Sequence, residues 1–267
     1  GRKRILEYLI PESDFIKLTD LKNKTQFSND TLKTLLRDQY IDINEVEIDN
    51  NPLSDIQVEN KKGTLKLSTK QNEIFQTLNK AVQSEKFSVN LIHGVTGSGK
   101  TEIYIKIVEE ILKNNKSALV LVPEIVLTPE TAKRFKSYFH DQVGIWNSSM
   151  TYSEKRWVWN GLISKSIKII IGTRSAAFLP IQNMSTIIID EEHDASYKQS
   201  EGMPSYNARD ISIMRAKKLN IPVILGSATP SIESYYNSVS EKYNLFELTE
   251  RYGSAKYPEV ELVNMFD

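Results

Sequence analysis

The stretch LIHGVTGSGKTEIYI, residues 91–105, places a loop with three glycines between an apolar run and a lysine-bearing helical pattern. Residues 94–101 of this stretch, GVTGSGKT, fit the pattern G-x-x-x-x-G-K-[ST] of a phosphate-binding loop. Glycines let such a loop curl until successive backbone N–H groups point at phosphate oxygens, and the following helix adds the positive end of its dipole. The stretch therefore predicts a strand, a phosphate site and a helix, in that order.

Every position of this loop is a candidate nucleotide contact. Lys100 is expected to neutralise the β and γ phosphates, and Thr101 to offer its hydroxyl to magnesium. An ordinary glycine-rich turn is the alternative, but the flanking strand-like and helical patterns favour phosphate binding. The predicted ATP-binding residues of the loop are Gly94, Val95, Thr96, Gly97, Ser98, Gly99, Lys100 and Thr101.

A second candidate element, TIIIDEEHDAS at residues 186–196, puts acidic residues directly after an isoleucine-rich run that reads as a buried strand. Asp190 is expected to hold the magnesium shell, and Glu191 to position or deprotonate the water that attacks the γ-phosphate. A solvated acidic turn is the alternative for an isolated cluster of this kind. With the phosphate loop upstream, Lys100, Asp190 and Glu191 are the predicted catalytic residues. Thr101 and Asp190 are the predicted magnesium ligands.

Composition excludes several other classes of protein. The 267 residues are 40% hydrophobic, enough for a substantial core, and 34 basic residues balance 34 acidic ones. Without cysteine, these residues hold neither disulfides nor cysteine-ligated zinc, and three scattered histidines indicate no metal cluster. No apolar run approaches membrane-spanning length, so we expect an intracellular protein. The neutral net charge leaves any nucleic-acid contact to local patches.

The chain divides by pattern into a small and a large part. Residues 1–50 carry amphipathic helical patterns followed by the strand-like IDINEVEI at 41–48, an order typical of a winged helix. The polar residues 51–64 are interpreted as a linker. Residues 65–267 alternate β-rich and helical runs, which predicts an α/β fold with a mainly parallel sheet. The predicted strands lie at residues 89–93, 118–122, 143–146, 167–171, 186–190 and 222–226.

Short motifs in the large part resemble those of a known helicase family. They are DEEH at 190–193, GSATPS at 226–231, LVPEIVLTPE at 121–130, GTRSAAFLP at 172–180 and SYKQSEGMPSYNARD at 196–210. The first two are similar to motifs of superfamily 2 helicases, and the other three are typical of a smaller group of helicases. Together they resemble the PriA family of bacterial primosomal helicases over nearly all of residues 65–250. Residues 1–50 also resemble the winged-helix domain of that family.

This resemblance implies an activity, cofactors and partners. It implies an ATP-driven DNA helicase that moves 3′ to 5′, restarts stalled replication forks and initiates primosome assembly. The implied cofactors are ATP and Mg²⁺. The implied partners are single-stranded and forked DNA, primosome proteins and single-stranded-DNA-binding proteins. A cytoplasmic protein of bacteria, associated with the nucleoid and without membrane contact, is implied as well.

The resemblance also assigns the parts of the chain. Residues 65–267 are similar to the first, RecA-like motor lobe of the family. The family's second lobe with its arginine finger, its zinc module and its 3′-DNA-end domain are not recognised in the sequence, so zinc is expected only in those parts. Because arginine fingers contribute several orders of magnitude to the rate, we expect the chain alone to be nearly inactive in ATP hydrolysis.

Two further roles follow from the resemblance. Gln71 in LSTKQNEIF resembles the glutamine that reads adenine, although Ser68 and Gln71 also have the S-x-x-Q spacing of a helix capping box. His193, with Ser227 and Thr229, resembles the polar set that couples the nucleotide state to lobe movement. A purely structural histidine is the alternative.

Aromatic and basic residues indicate where DNA is expected to bind. Arg174 lies in GTRSA, and the loop YKQSEGMPSYNAR mixes aromatic rings with cations, so stacking and phosphate contacts are both available. Met203 occupies a place where the family pattern leads us to expect tryptophan, and a solvated loop is the alternative. The predicted DNA-binding residues are Arg174, Tyr197, Lys198, Tyr206 and Arg209.

A second function stays open beside the motor lobe. Residues 1–50 hold 8 basic and 10 acidic residues, so they carry no basic footprint for DNA. On this alternative, the chain is a docking module for replication partners whose nucleotide site acts as a switch. The phosphate loop favours the motor lobe, whereas the neutral charge favours docking.

Overall fold

The computed structural model describes seven stretches of the chain, which divide into two compact units. The units are Gly1–Ile48 and Asp49–Asp267. Each has an apolar core of its own. The described stretches are residues 2–10, 16–44, 50–54, 56–61, 63–127, 129–200 and 203–250, apart from the side chains of 129 and 130.

The first unit contains three helices within its described residues, α1 (Arg2–Leu9), α2 (Leu18–Thr25) and α3 (Asn29–Arg37). Residues 41–44, the first half of the predicted strand, have no regular secondary structure, and Ile41 packs against the helical core instead. Residues 45–48, the second half, lie outside the described residues. The described residues of this unit offer no strand for 41–44 to pair with, so the winged helix stays a prediction.

Nine strands lie in the described part of the second unit. They are β1 (Val89–Gly94), β2 (Ser117–Leu121), β3 (Val143–Trp146), β4 (Ile169–Gly172), β5 (Met184–Asp190), β6 (Lys198–Gln199), β7 (Tyr206–Asn207), β8 (Val223–Ser227) and β9 (Asn244–Leu248). Seven form one sheet in the order β3-β4-β2-β5-β8-β1-β9, with parallel pairings throughout. β6 and β7 form a separate antiparallel ribbon. The predicted α/β fold with a mainly parallel sheet is confirmed.

Helices connect and cover these strands. They are α4 (Thr69–Gln83), α5 (Lys100–Lys113), α6 (Pro129–Phe139), α7 (Tyr152–Ile163), α8 (Ala208–Leu219) and α9 (Ile232–Val239), and short 3-10 turns lie at His140–Gln142, Arg174–Phe178 and Ala195–Tyr197. Parallel strands need such crossover connections, which place helices on the faces of the sheet. None of the helices in the described residues has the length and apolar composition needed to cross a membrane.

Each face of the sheet carries a separate apolar layer. Neighbouring residues of a strand point to opposite faces, so Leu91 packs in one layer and Ile92 in the other. The Ile92 layer includes buried residues of α4, α5 and α6, and the Leu91 layer includes those of α7 and α8. Strands covered on both sides need continuous apolar runs, which is why the central strands were readable from the sequence.

The last strand, β9, was not predicted from the sequence. Its residues, NLFEL, mix polar and apolar types, as suits a strand at the edge of the sheet, where only one neighbour is paired. It pairs with β1, and the carbonyl of Leu248 accepts a hydrogen bond from the N–H of Val95 at 3.1 Å. The missed strand thus supports the first residues of the phosphate loop.

The central strands predict a clear stability difference. Leu91→Ala removes a fully buried side chain from β1 and should lower the free energy of unfolding by about 2–5 kcal/mol. Leu219→Ala makes the same change at a residue that is 48% exposed and should cost about 0.5 kcal/mol or less. Urea unfolding followed by fluorescence measures both values. Equal losses for the two variants would contradict the assigned core.

Candidate nucleotide-binding site

The candidate site lies at the carboxyl ends of three adjacent strands. In the sheet, β8 lies between β5 and β1, so the loops that follow these strands meet at one edge. These loops carry the predicted phosphate loop (residues 94–101), the acidic cluster DEEH (190–193) and the SAT motif (227–229). Ligands of open parallel sheets bind in such crevices outside the carboxyl ends of the strands. The topology therefore brings together motifs that are up to about 130 residues apart in sequence.

The phosphate loop joins β1 to α5 with two residues in the left-handed region. Gly97 has a φ of 80° and Gly99 a φ of 84°, values that side-chain-bearing residues rarely adopt. The N–H of Ser98 donates to the carbonyl of Val95 at 3.0 Å, which closes the turn. Ser98 is 3% exposed, and its buried hydroxyl has no hydrogen-bond partner among the described residues. A buried donor without a partner suits an anion in the loop.

Lys100 starts α5 and directs its ammonium group across the loop. Its Nζ donates to the carbonyl of Gly94 at 2.8 Å and lies 3.6 Å from Oε1 of Glu191. Only 7% of its side chain is exposed. The structure thus places a nearly buried cation between the phosphate loop and the acidic cluster.

Asp190 ends β5 and is held by two tyrosines. The hydroxyl of Tyr104, on α5, donates to Oδ1 of Asp190 at 3.1 Å, and the hydroxyl of Tyr197 donates to its backbone carbonyl at 2.6 Å. Burial raises the pKa of Asp190 to about 6, and the charge of Glu191 adds to the rise while Lys100 opposes it. An acid with so high a pKa lies where a cation would favour its charged form.

The predicted coupling residues meet around His193. Its Nδ1 lies 2.7 Å from the hydroxyl of Ser227 and 3.7 Å from Oε2 of Glu191, and its Nε2 lies 3.3 Å from the hydroxyl of Thr229. Glu191 itself has a φ of 43°, a strained value for glutamate. Backbone strain at a residue next to the phosphate loop is a frequent mark of function.

Glu192 is a buried acidic residue that the sequence analysis did not single out. It is 2% exposed, and its carboxylate accepts hydrogen bonds from the N–H and hydroxyl of Ser231, from the hydroxyl of Ser234 and from Arg209. Arg209 Nη1 lies 2.9 Å from Oε2 of Glu192. These bonds tie the acidic cluster to the starts of α8 and α9. The only signal in the sequence is the second glutamate of DEEH, and the sequence does not show that the side chain of this residue points into the protein.

The predicted DNA-binding residues do not share one surface. Tyr197 is 1% exposed, so its ring offers no face to a base in this conformation. Arg209 is largely buried beside Glu192, with 15% of its side chain exposed. Arg174 donates to the carbonyl of Lys198 at 3.1 Å and so supports the β6–β7 ribbon. Burial and pairing therefore engage Tyr197, Arg209 and Arg174 within the protein, and their role in DNA binding stays a prediction.

An exposed aromatic residue joins Tyr206 near the ribbon. Phe178 is 57% exposed, and its ring meets that of Tyr206 edge to face at 5.0 Å between centroids. Lys198 is exposed on the neighbouring strand of the ribbon. Phe178 was missed because it lies in GTRSAAFLP, where only Arg174 carries a charge. The rings of Phe178 and Tyr206 offer surface for stacking, and Lys198 offers charge, although the register puts its side chain on the other face of the ribbon from Tyr206.

Gln71 adopts the capping geometry that the sequence allowed. Its side chain accepts from the N–H of Ser68, and the Ser68 hydroxyl accepts from the N–H of Gln71, which completes a capping box at the start of α4. The Gln71 amide also donates to the carbonyl of Ser98 at 2.9 Å. Adenine recognition by Gln71 stays a prediction.

The residues of the site fit a magnesium ion held together with phosphates. Within the described residues, no group of three or more histidine, cysteine, aspartate or glutamate side chains could hold a metal by itself. Mg²⁺ keeps several waters and binds proteins through one or two oxygen ligands plus substrate phosphates. A threonine hydroxyl and a carboxylate are such ligands, and Thr101 at the start of α5 and Asp190 at the end of β5 are residues of these two types.

The fold and the site together define a RecA-like P-loop lobe of the helicase type. A family model described as "Type III restriction enzyme, res subunit" matches residues 64–232, more than half of the chain, and the chain belongs to this family. The family implies ATP and a metal ion as cofactors.

Curated relatives identify a smaller group of similar proteins within this family. Replication restart protein PriA of Bacillus subtilis (strain 168) is 41% identical over 99% of this chain and 33% of its own length. Replication restart protein PriA of Haemophilus influenzae (strain ATCC 51907) is 43% identical over 90% of this chain and 33% of its own length. The resemblance to PriA is confirmed. The chain spans about a third of the length of these relatives.

Solved structures share the fold. RecG bound to a three-way DNA junction has a TM-score of 0.54 and 23% identity, covering 72% of this chain and 25% of that one. The DUF1998 helicase MrfA bound to DNA has a TM-score of 0.50 and 20% identity, covering 69% of this chain and 26% of that one. At these identities the likeness concerns the fold alone.

The raised pKa of Asp190 predicts a pH-dependent stability cost. Because the folded pKa of about 6 lies above the ordinary 3.8, the folded state loses stability as pH rises through this range, and the full cost applies above it. Asp190→Asn should therefore raise the free energy of unfolding at pH 7.5 by about 1–3 kcal/mol and have little effect near pH 4.

Urea unfolding at several pH values measures this effect. Asp141→Asn, at an exposed residue, makes the matched change and should alter stability little at either pH. A loss of stability in Asp190→Asn at pH 7.5 would show that its carboxylate is not under strain.

Proposed function

We propose that the chain is the ATP- and DNA-binding motor lobe of a 3′-to-5′ DNA helicase that restarts stalled replication forks and initiates primosome assembly. The observation that carries the proposal is the meeting of the phosphate loop and the acidic cluster around Lys100, whose Nζ is 3.6 Å from Glu191. The curated relatives, named replication restart proteins, supply the biological context. In this role the protein acts in the bacterial cytoplasm, at the nucleoid.

The chain's own groups suggest how ATP is held and prepared for hydrolysis. Phosphate oxygens in the loop meet the N–H groups at the start of α5 and compete with Glu191 for the Lys100 ammonium group. Once Lys100 pairs with phosphate, Glu191 is released to orient the attacking water and accept its proton. A glutamate in this role depends on its position relative to the water, and His193 lies beside it, with Nδ1 3.7 Å from Oε2 of Glu191.

Thr101 and Asp190 are the proposed holders of magnesium. Bound magnesium supplies positive charge to the β and γ phosphates. The hydroxyl of Tyr104 keeps Asp190 turned towards the phosphate loop through its bond to Oδ1. Burial of Asp190 strengthens its attraction for any cation, since the charge is poorly solvated there.

The contacts of His193 suggest how the nucleotide state reaches the rest of the lobe. His193 touches Glu191 on one side and Ser227 and Thr229 on the other, so a movement of Glu191 alters the contacts of the SAT motif. Glu192, the next residue, binds Ser231 at the start of α9. Coupling then passes from the γ-phosphate to the loop after β8.

DNA is the proposed macromolecular substrate, as single strands and forks. Lys198 and Tyr206 on the ribbon, with Arg174 beneath it, are the proposed contacts, and Phe178 extends them. Tyr197 and Arg209 belong to the same predicted DNA-binding segment and are bonded to Asp190 and Glu192, so they link it to the acidic cluster. Stacking and backbone contacts read no sequence, so binding is expected to be largely sequence-independent. Primosome proteins and single-stranded-DNA-binding proteins are the further proposed partners.

A docking module with a nucleotide switch is the second candidate function. One face of α9 favours it, because four residues at helical spacing leave an apolar stripe exposed. They are Ile232 (85% exposed), Tyr235 (45%), Tyr236 (65%) and Val239 (63%). Through Ser231 and Ser234 this helix is bonded to Glu192, so the stripe is within reach of the nucleotide site.

Removing the Lys100 charge tests phosphate binding. Lys100→Ala should weaken the binding of ADP or ATP with magnesium by about 10- to 100-fold, because a charge-assisted contact to phosphate is lost. Lys113→Ala, at the other end of α5 with 66% of its side chain exposed, is the matched control and should bind normally. Calorimetric titration compares the two. Equal affinity for Lys100→Ala and the unaltered chain would remove Lys100 from its proposed role.

Replacing Glu191 tests its role in hydrolysis. In a protein of the relatives' full length that carries this chain, Glu191→Gln should keep nucleotide affinity and lower turnover by about 100-fold or more. Glu233→Gln, at an exposed residue of α9, controls for the loss of a carboxylate and should keep its turnover. Single-turnover phosphate release with single-stranded DNA measures both. A near-normal rate for Glu191→Gln would mean that another group prepares the water.

A further inference from the structure

We propose that Arg215 is a positioning residue of the DNA-binding surface, because it holds the backbone on both sides of the exposed ring of Phe178. The proposal rests on the proposed DNA-binding function. Three features of the structure support it: the two carbonyls that the guanidinium binds, the burial of the residues beside Phe178, and the contact that the Phe178 ring makes.

Arg215 binds the turn that carries Phe178 through two hydrogen bonds. Its Nη1 donates to the carbonyl of Ala177 at 2.7 Å, and its Nη2 donates to the carbonyl of Leu179, also at 2.7 Å. These two residues are the neighbours of Phe178 in the chain. Charged donors make stronger hydrogen bonds than neutral ones, and the planar guanidinium keeps its nitrogen atoms in a fixed geometry. One side chain therefore fixes the backbone immediately before and after the exposed ring.

The neighbours of Phe178 are buried, whereas its own ring is exposed. Ala177 is 1% exposed and Leu179 is 3% exposed, and both pack in the same apolar layer as buried residues of α8. Phe178 between them is 57% exposed. The buried neighbours and their bonded carbonyls together keep the Phe178 ring on the surface, where a base can reach it.

The helix that carries Arg215 also places the second ring of this surface. Tyr206 lies two residues before the start of α8, and Arg215 lies about two turns into that helix. The rings of Phe178 and Tyr206 meet edge to face, with 5.0 Å between centroids and an angle of 80° between planes. Because α8 follows Tyr206 directly and binds the turn of Phe178 through Arg215, it connects both members of the ring pair.

The hydrogen bonds of Arg215 leave two ways in which it can act on DNA. Within the described part of the chain they go to carbonyl groups and not to carboxylates, and burial lowers the pKa of Arg215 without removing its charge. Arg215 can therefore shape the turn, or its positive charge can attract DNA phosphates. The two bonds to the residues beside Phe178 favour the first. Lysine keeps the charge but lacks the planar set of donors, so Arg215→Lys separates the two.

Binding of two single strands tests the positioning role. An oligothymidine strand offers bases for stacking, whereas an abasic strand of the same length offers only sugars and phosphates. Phe178→Ala should weaken binding of the oligothymidine by about tenfold, and Arg215→Lys by about three- to tenfold. Both variants should bind the abasic strand like the unaltered chain. Fluorescence anisotropy at one fixed salt concentration gives the affinities.

A double-mutant cycle shows whether Arg215 acts through Phe178. In the Phe178→Ala background the ring is already absent, so adding Arg215→Lys should not weaken oligothymidine binding further. Two independent contacts with DNA would instead give losses that add. A residue with a general role in folding would also not depend on the ring in this way.

Two controls accompany these variants. Lys218→Gln removes an exposed positive charge from the same helix and should weaken both strands slightly and equally, as expected for a loss of charge alone. Calorimetric titration of ADP with magnesium should give the same affinity for Arg215→Lys as for the unaltered chain. A fall in that affinity would make Arg215 a residue of the whole lobe and overturn the specific role.

The outcomes are distinct. A loss that is confined to the oligothymidine and disappears in the Phe178→Ala background supports the proposal. An equal loss for both strands would assign Arg215 to phosphate contact, and an additive loss would assign it to a separate contact; either result overturns the positioning role. Unchanged affinities in Phe178→Ala or in Arg215→Lys overturn it as well. If the unaltered chain binds neither strand, the proposed DNA-binding function itself fails and the role of Arg215 falls with it.

Discussion

The meeting of Lys100, Asp190 and Glu191 at one edge of the sheet is the constraint on which the rest of the structure depends. Burial and the neighbouring carboxylate of Glu191 together raise the pKa of Asp190 to about 6. Lys100 opposes that rise but is itself only 7% exposed and must be held by the Gly94 carbonyl. Burying charged groups in this way does not stabilise the fold, which is a common cost at functional sites. The core must therefore be stable enough to carry it.

Hydrogen bonds around the site offset the free-energy cost of burying its charged groups. Glu192 receives donors from the starts of two helices, so its buried charge is fully paired. Tyr104 and Tyr197 fix the side chain and the carbonyl of Asp190 from opposite elements. A buried charge without such partners costs several kcal/mol, on the order of the net stability of a domain. The same bonds that satisfy the charges also fix the positions of the functional groups.

The sequence predicts the strands and motifs well but not the direction of individual side chains. Central strands are buried on both faces and read as apolar runs, whereas β9 lies at an edge and mixes residue types. Tyr197 and Arg209 are residue types that often bind DNA, but here the ring is buried and the guanidinium pairs with Glu192. Which use prevails depends on contacts with residues far along the chain. Gln71 is an example. Its capping bond to Ser68 is local and could be predicted from the S-x-x-Q spacing, whereas its bond to Ser98, 27 residues away, could not.

Rigid and movable parts of the site can be told apart by their contacts. A β carbon on Gly226 would overlap the hydroxyl of Tyr104, which is bonded to Asp190, so α5, β5 and β8 pack closely at this point. Glu191 and His193 are different, because about a third of each side chain is exposed and the 3.7 Å between Oε2 of Glu191 and Nδ1 of His193 is beyond hydrogen-bond distance. The closely packed residues around Tyr104 have little room to move when a ligand changes, whereas the partly solvated Glu191 and His193 have more. The contacts of His193 are therefore the proposed place at which the nucleotide state alters the shape of the lobe.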